Sequence, residues 1–107
     1  MKKINKTKAI ISSFKGEIQV DYDTLVAVFG EPHYIHKNNM SKVDVEWGFD
    51  FDGVVAIIYN WKNGKNYLGV DGLELKDIEK WNVGGSDDKA VEVVEKEIYA
   101  YVMKNRY

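Results

Sequence analysis

From Val43 the chain alternates: Val43, Val45, Trp47, Phe49 and Phe51 are apolar, and Asp44, Glu46 and Asp50 between them are charged. A period of two marks a strand with one buried face. Asp52-Gly53 follows, a dipeptide that accepts positive φ at both centres of a type I′ hairpin turn. Val54 to Trp61 is then apolar at nearly every position, as a strand covered on both sides tends to be. A two-residue loop fixes the register. Phe51 falls opposite Val54, Phe49 opposite Ala56, Trp47 opposite Ile58 and Val45 opposite Asn60, and this face is the expected core. The other face pairs Asp50 with Val55, Gly48 with Ile57, Glu46 with Tyr59 and Asp44 with Trp61. Apolar strand faces are mostly covered, by another element or a second subunit. The alternative is a binding surface with an aromatic floor and an acidic edge.

The flanking pattern supplies the remaining elements. Lys8 to Val20 reads as a first hairpin turning at Lys15-Gly16, with Phe14 opposite Glu17. Asp21 and Asp23 suit a helix start, Leu25, Val28 and Phe29 form its sheet-facing side, and Gly30 and Pro32 stop it. Residues 31–42 form a polar connector. Gly64, Gly69 and Gly72 mark turns, residues 73–80 lead through an extended piece into one helical turn, and residues 79–83 read as a short strand carrying Trp81 and Val83 on one side. After Gly84-Gly85, Ser86 is the expected N-cap of a last helix, with Asp87 and Asp88 at its positive end. Ala90, Val91, Val94, Ile98, Tyr101 and Val102 recur at helical spacing up to about Lys104. The predicted architecture is one α+β domain over residues 1–107. Its antiparallel sheet has about four to five strands, two hairpins plus a short strand, packed against the short helix and the C-terminal amphipathic helix. Residues 1–7 are expected to be a frayed basic arm.

Composition narrows the chemistry. A chain of 107 residues, 45% apolar and 30% charged, holds one core and no long disordered tract. With no cysteine it has no disulfide, thiolate nucleophile or cysteine metal site. No apolar run approaches a membrane span and residues 1–6 lack an apolar signal core, so a cytoplasmic protein with no membrane partner is expected. The formal charge of −2 argues against nucleic-acid binding, despite Lys2, Lys3, Lys6 and Lys8 near the start. His33 and His36 have the spacing to share a metal, but only Glu31 or Asp44 offers a third ligand, so no metal site is expected. No serine–histidine–acid spacing, phosphate-loop motif or cleft-bound carboxylate pair is indicated. Hence no catalytic residue, cofactor or enzymatic activity is expected.

What remains is binding. Tyr59, Trp61, Tyr67 and Trp81 offer rings for stacking, and Lys62 and Lys65 offer charge for an anion. Gly85 and Ser86 sit ahead of a helix whose free N–H groups attract phosphate. The acidic row Asp44, Glu46 and Asp50 is either a solvated edge or a protein-docking face. The two-faced hairpin also makes a homo-oligomer reasonable.

Four segments taken together, YDTLVAVFGEP (22–32), VDVEW (43–47), IYNWKNGKNYLG (58–69) and WNVGG (81–85), resemble a group of small, mostly uncharacterised proteins encoded by bacteriophages and prophages. The similarity covers about residues 20 to 100. The helix–Gly–x–Pro–hairpin order is also similar to the repeat of β-lactamase-inhibitor-like and outer-membrane assembly lipoprotein domains, in local architecture only. The phage resemblance carries no catalytic residues. It implies a non-enzymatic protein that counteracts bacterial immunity in the cytoplasm of an infected host. Two mechanisms fit: sequestering a nucleotide-derived immune signal, or inhibiting a host defence nuclease or Cas protein through the acidic face. A structural or regulatory phage interaction protein is the third expectation.

Overall fold

A computed structural model of the chain describes residues 2–3 and 13–105. In chain order the strands are β1 (Lys2–Lys3), β2 (Ser13–Gln19), β3 (Tyr34–Ile35), β4 (Val45–Phe51), β5 (Val54–Tyr59) and β6 (Lys80–Gly85). The helices are α1 (Tyr22–Phe29), α2 (Lys65–Leu68) and α3 (Ala90–Lys104), with 3₁₀ turns at Gly69–Asp71 and Leu75–Asp77. The sheet is antiparallel and runs β1-β4-β5-β6-β2, with β3 sharing the outer side of β4 with β1. The architecture is α+β, as the patterning predicts.

The central hairpin forms as its turn chemistry requires. Asp52 and Gly53 both hold positive φ, 52° and 98°, and Asp50 Oδ1 accepts from the Gly53 amide at 2.6 Å. The expected register follows from Phe51–Val54 to Glu46–Tyr59. Trp47, Phe49, Ala56 and Ile58 therefore share one face with Trp81 and Val83 of β6 and Ile18 of β2. Both long helices lie on that face. Leu25 and Phe29 of α1 and Ala90 and Val94 of α3 join the same buried cluster. The core is aromatic: Trp47 meets Trp81 edge-on at 5.6 Å and Tyr22 packs on both. Each buried indole has a partner, Trp47 Nε1 donating to Gly30 O and Trp81 Nε1 to Ile78 O.

Several expectations need correction. Lys15-Gly16 is not a turn: β2 runs straight through it and pairs with β6, with a bulge between Phe14 and Gly16. The glycine serves packing, because a Cβ there would lie 2.9 Å from Val91 Cγ2 of α3. Residues 8–12 of the expected hairpin lie outside the described residues. Of the expected basic arm, Lys2 and Lys3 pair with Asp50 and Phe49 on β4, while residues 1 and 4–7 lie outside the described residues. The connector 31–42 contains β3, and the strand at 79–83 extends to Gly85 and lies inside the sheet, between β5 and β2. Helix α3 begins at Ala90, four residues beyond Ser86, after Asp87 Oδ1 has accepted from the Lys89 amide.

The second face of the sheet is closed at its centre. Gly48, Ile57 and Gly84 form one row across it and all three are buried, Ile57 to 2% exposure. Beyond Tyr59 the ladder stops, and the chain leaves the sheet at Asn60.

Candidate functional site

Asn60 is the buried polar residue of the core, fully enclosed. The sequence expectation pairs it with Val45; instead its side chain replaces the next rung of the ladder. Asn60 Oδ1 accepts from the amides of Asp44 at 2.8 Å and Val45 at 3.1 Å. Its Nδ2 donates to Asp44 Oδ1 at 2.8 Å and to Asn63 Oδ1 at 3.1 Å. Asp44 Oδ2 in turn accepts from the Asn66 amide at 3.1 Å, and Asn66 Nδ2 donates to the carbonyls of His36 and Val43. A buried amide with every lone pair and proton used is a rigid joint, and an expensive one to break. It ties the connector before β4 to the loop after β5.

The loop from Asn60 to Leu73 closes on itself around this joint. The Leu73 amide donates to Asn63 O, and Gly64 and Leu73 form an isolated bridge. No side chain fits at Gly64, where a Cβ would collide with Asp44 Oδ1, nor at Gly72, where it would collide with Gly64 O. Lys62 holds φ 59° and its amide donates to Lys42 O. That left-handed residue turns the chain so that Trp61 before it faces outward while Asn63 after it reaches back to Asn60.

The outward side is aromatic and basic. Trp61 is 45% exposed, with the Tyr59 ring edge-on at 6.1 Å. Lys42 Nζ and Lys62 Nζ stand 5.7 and 5.8 Å from the Trp61 ring centroid, and Lys62 Nζ also stands 5.7 Å from that of Tyr67. Of the eleven large apolar side chains exposed among the described residues, seven lie on these two joined segments: Ile35, Met40, Trp61, Tyr67, Leu68, Val70 and Leu73. These two segments thus carry most of the exposed large apolar side chains among the described residues.

Of the residues singled out in the sequence, Tyr59, Trp61, Lys62 and Tyr67 come together here. Lys65 turns away, donating to Val70 O and pairing with Glu74. Trp81 is corrected: it is fully buried between Tyr22 and Trp47 and offers no face to a ligand. Gly85 and Ser86 are corrected too. Gly85 lies in β6 opposite Ala56, about 10 Å along the sheet from the Tyr59 row, and is packed under Ala90; neither residue is at the start of α3. The acidic row is already engaged within the molecule: Asp44 in the loop joint, Glu46 with His36 Nε2 at 2.9 Å, and Asp50 in the hairpin turn. His33 and His36 do not converge, since His33 Nδ1 accepts from the Gly48 amide at 3.0 Å. Among the described residues no cluster of three or more His, Asp or Glu could hold a metal.

Sequence reasoning missed Lys42 and Asn60. Lys42 gave no signal, since its approach to Trp61 depends on how the two loops are tied. Asn60, between two aromatic residues at a strand end, was the legible hint: a polar amide inside an apolar run needs partners. No helix among the described residues is long and apolar enough to cross a membrane. No family model, curated protein or solved structure matches the chain.

Proposed function

We propose that the chain is a non-enzymatic binding protein of phage or prophage origin that counteracts bacterial immunity by docking on a host defence protein, with Trp61 as its anchor. The phage setting rests on the resemblance over residues 20 to 100. The docking mode rests on one observation: an exposed tryptophan carried by a loop whose backbone is fixed from beneath by Asn60 and Asp44. A preordered tryptophan buries a large area at low entropic cost, and such residues dominate interface energetics. A small ligand buries most of its surface in a concave site. Met40, Leu68 and Val70, all exposed on the same two segments, suit a broader partner. Lys42 and Lys62 beside the ring call for an acidic patch on that partner.

The test is quantitative capture from bacterial lysate with the wild-type chain, Trp61→Ala and the double variant Lys42→Glu/Lys62→Glu. Docking through Trp61 predicts a partner retained by wild type, lost at least tenfold in both variants, and released by salt. A partner held equally by all three would sink the reading.

A second reading, sequestration of a nucleotide-derived immune signal, is favoured by Lys62 standing beside both the Trp61 and Tyr67 rings, where a base would stack and a phosphate be neutralised. Melting with cyclic dinucleotides and ADP-ribose derivatives decides it. A ligand at about a hundred times its Kd adds roughly 2.7 kcal/mol of apparent stability; no shift across the panel removes this reading for those ligands.

A further inference from the structure

We propose that the open edge of β2 and the overhanging flank of α3 form a trough that takes an extended, basic segment of another protein as an added strand. β2 ends the sheet, and among the described residues no strand pairs with its outer side. An unpaired strand edge is a row of free N–H and C=O groups, a template for another chain. The bulge between Phe14 and Gly16 bends the start of the strand and guards that part. The stretch from Gly16 to Gln19 has no such protection.

Helix α3 runs along this edge, close enough for Val91 to sit over Gly16. Further on, Ile98, Tyr99 and Val102 wall a cavity of about 270 Å³ whose floor is Ile18 and Gln19. Tyr99 is 66% and Val102 47% exposed, an apolar flank open to solvent. The same groove continues past Glu17 on one side and to Asp21 and Glu79 at its end. Among the described residues lining it, its rim therefore carries the carboxylates of Glu17, Asp21, Glu79 and Glu95 against the ammonium of Lys80. Thr24, through its side chain first and its amide second, holds the Asp21 carboxyl below its ordinary pKa, so that charge persists. A second copy of this chain is a poor occupant, because edge-to-edge pairing would set two acidic rims together. A strand with period-two alternation, apolar side chains toward α3 and lysine or arginine away from it, matches both the wall and the rim.

The probe is the capped peptide (Val-Lys)4, compared with (Val-Glu)4 and with (Val-Lys)4 N-methylated at alternate residues, which removes main-chain donors and keeps the charge. Amide chemical shifts of the full chain report the site. The expected result is binding of the unmodified basic peptide, with shifts confined to residues 16–19 of β2 and to Tyr99 and Val102, and at least tenfold weakening in Glu17→Lys/Glu95→Lys, whose two positions are exposed. Trp61→Ala should leave this binding unchanged, so its outcome is separate from that of the loop surface. Absence of binding, equal binding of the acidic peptide, undiminished binding of the N-methylated peptide, or shifts elsewhere would each overturn the proposal.

Discussion

Lys62 holds φ 59°, where an L-residue with a side chain pays about 1–2 kcal/mol that glycine does not. Its retention there puts an ammonium beside two rings. Lys62→Gly is therefore expected to raise stability by about 1 kcal/mol in urea denaturation while weakening capture of an acidic partner. Loss of stability instead would show that the lysine stem packs for more than the strain costs. Trp81 behaves in the opposite way. Fully buried among Tyr22, Trp47 and the Ile78 carbonyl, it should cost about 3–5 kcal/mol as Trp81→Ala, read as a shifted urea midpoint at unchanged slope. In the sequence Trp61 and Trp81 look alike, each beside a lysine at one end of an apolar run. Depth separates them, and depth depends on strand order: β6 lies between β5 and β2, whereas Trp61 comes after β5 has ended. Strand order is a long-range fact that local spacing does not carry.

At the scale of elements, what was legible had local chemistry that admits one answer. Asp52-Gly53 demands a two-residue turn, and the turn fixes six cross-strand pairs. Two of the misreadings share one cause, glycine taken for punctuation. Gly16 and Gly85 do not end their strands; each leaves room for α3, against Val91 and Ala90 respectively. The loop after β5 was opaque for a different reason. Its order comes from side-chain amides bonding to a segment some twenty residues earlier in the chain, a pattern with no periodicity. Asn60→Ala leaves two backbone amides, one carboxylate oxygen and the Asn63 Oδ1 without their Asn60 partner, and should cost about 2–4 kcal/mol. Hydrogen exchange should locate the damage in residues 60–73, with the β4–β5 hairpin still protected. Uniform loss of protection would mean the joint holds the whole sheet and not the loop alone.

For the molecule as a whole, stability should depend on pH through His33. Its ring is edge-on to Phe49 and its Nδ1 uses a lone pair to accept from Gly48. Burial first, and then the Lys3 ammonium, hold its pKa below the ordinary histidine value. The folded chain thus keeps the ring neutral where the unfolded chain takes up a proton. The contribution is complete above about pH 6.5 and falls as pH drops from there toward the lowered folded-state pKa. Urea midpoints at pH 7.5 and 5.5 should show the decline, and His33→Asn should flatten it. Two surfaces of opposite sign lie near one end of the sheet: lysines around Trp61, and carboxylates along the outer side of β2, two strands away.

The joint beneath Trp61 has an evolutionary consequence. Its bonds run between buried amides, one carboxylate and the backbone, and none uses the side chain of Trp61, Lys62, Tyr67 or Val70. Substitutions at those outer positions should therefore leave the platform that presents them folded. On the docking role proposed above, a chain built this way would keep pace with a changing opponent by exchanging its façade while its foundations stay put.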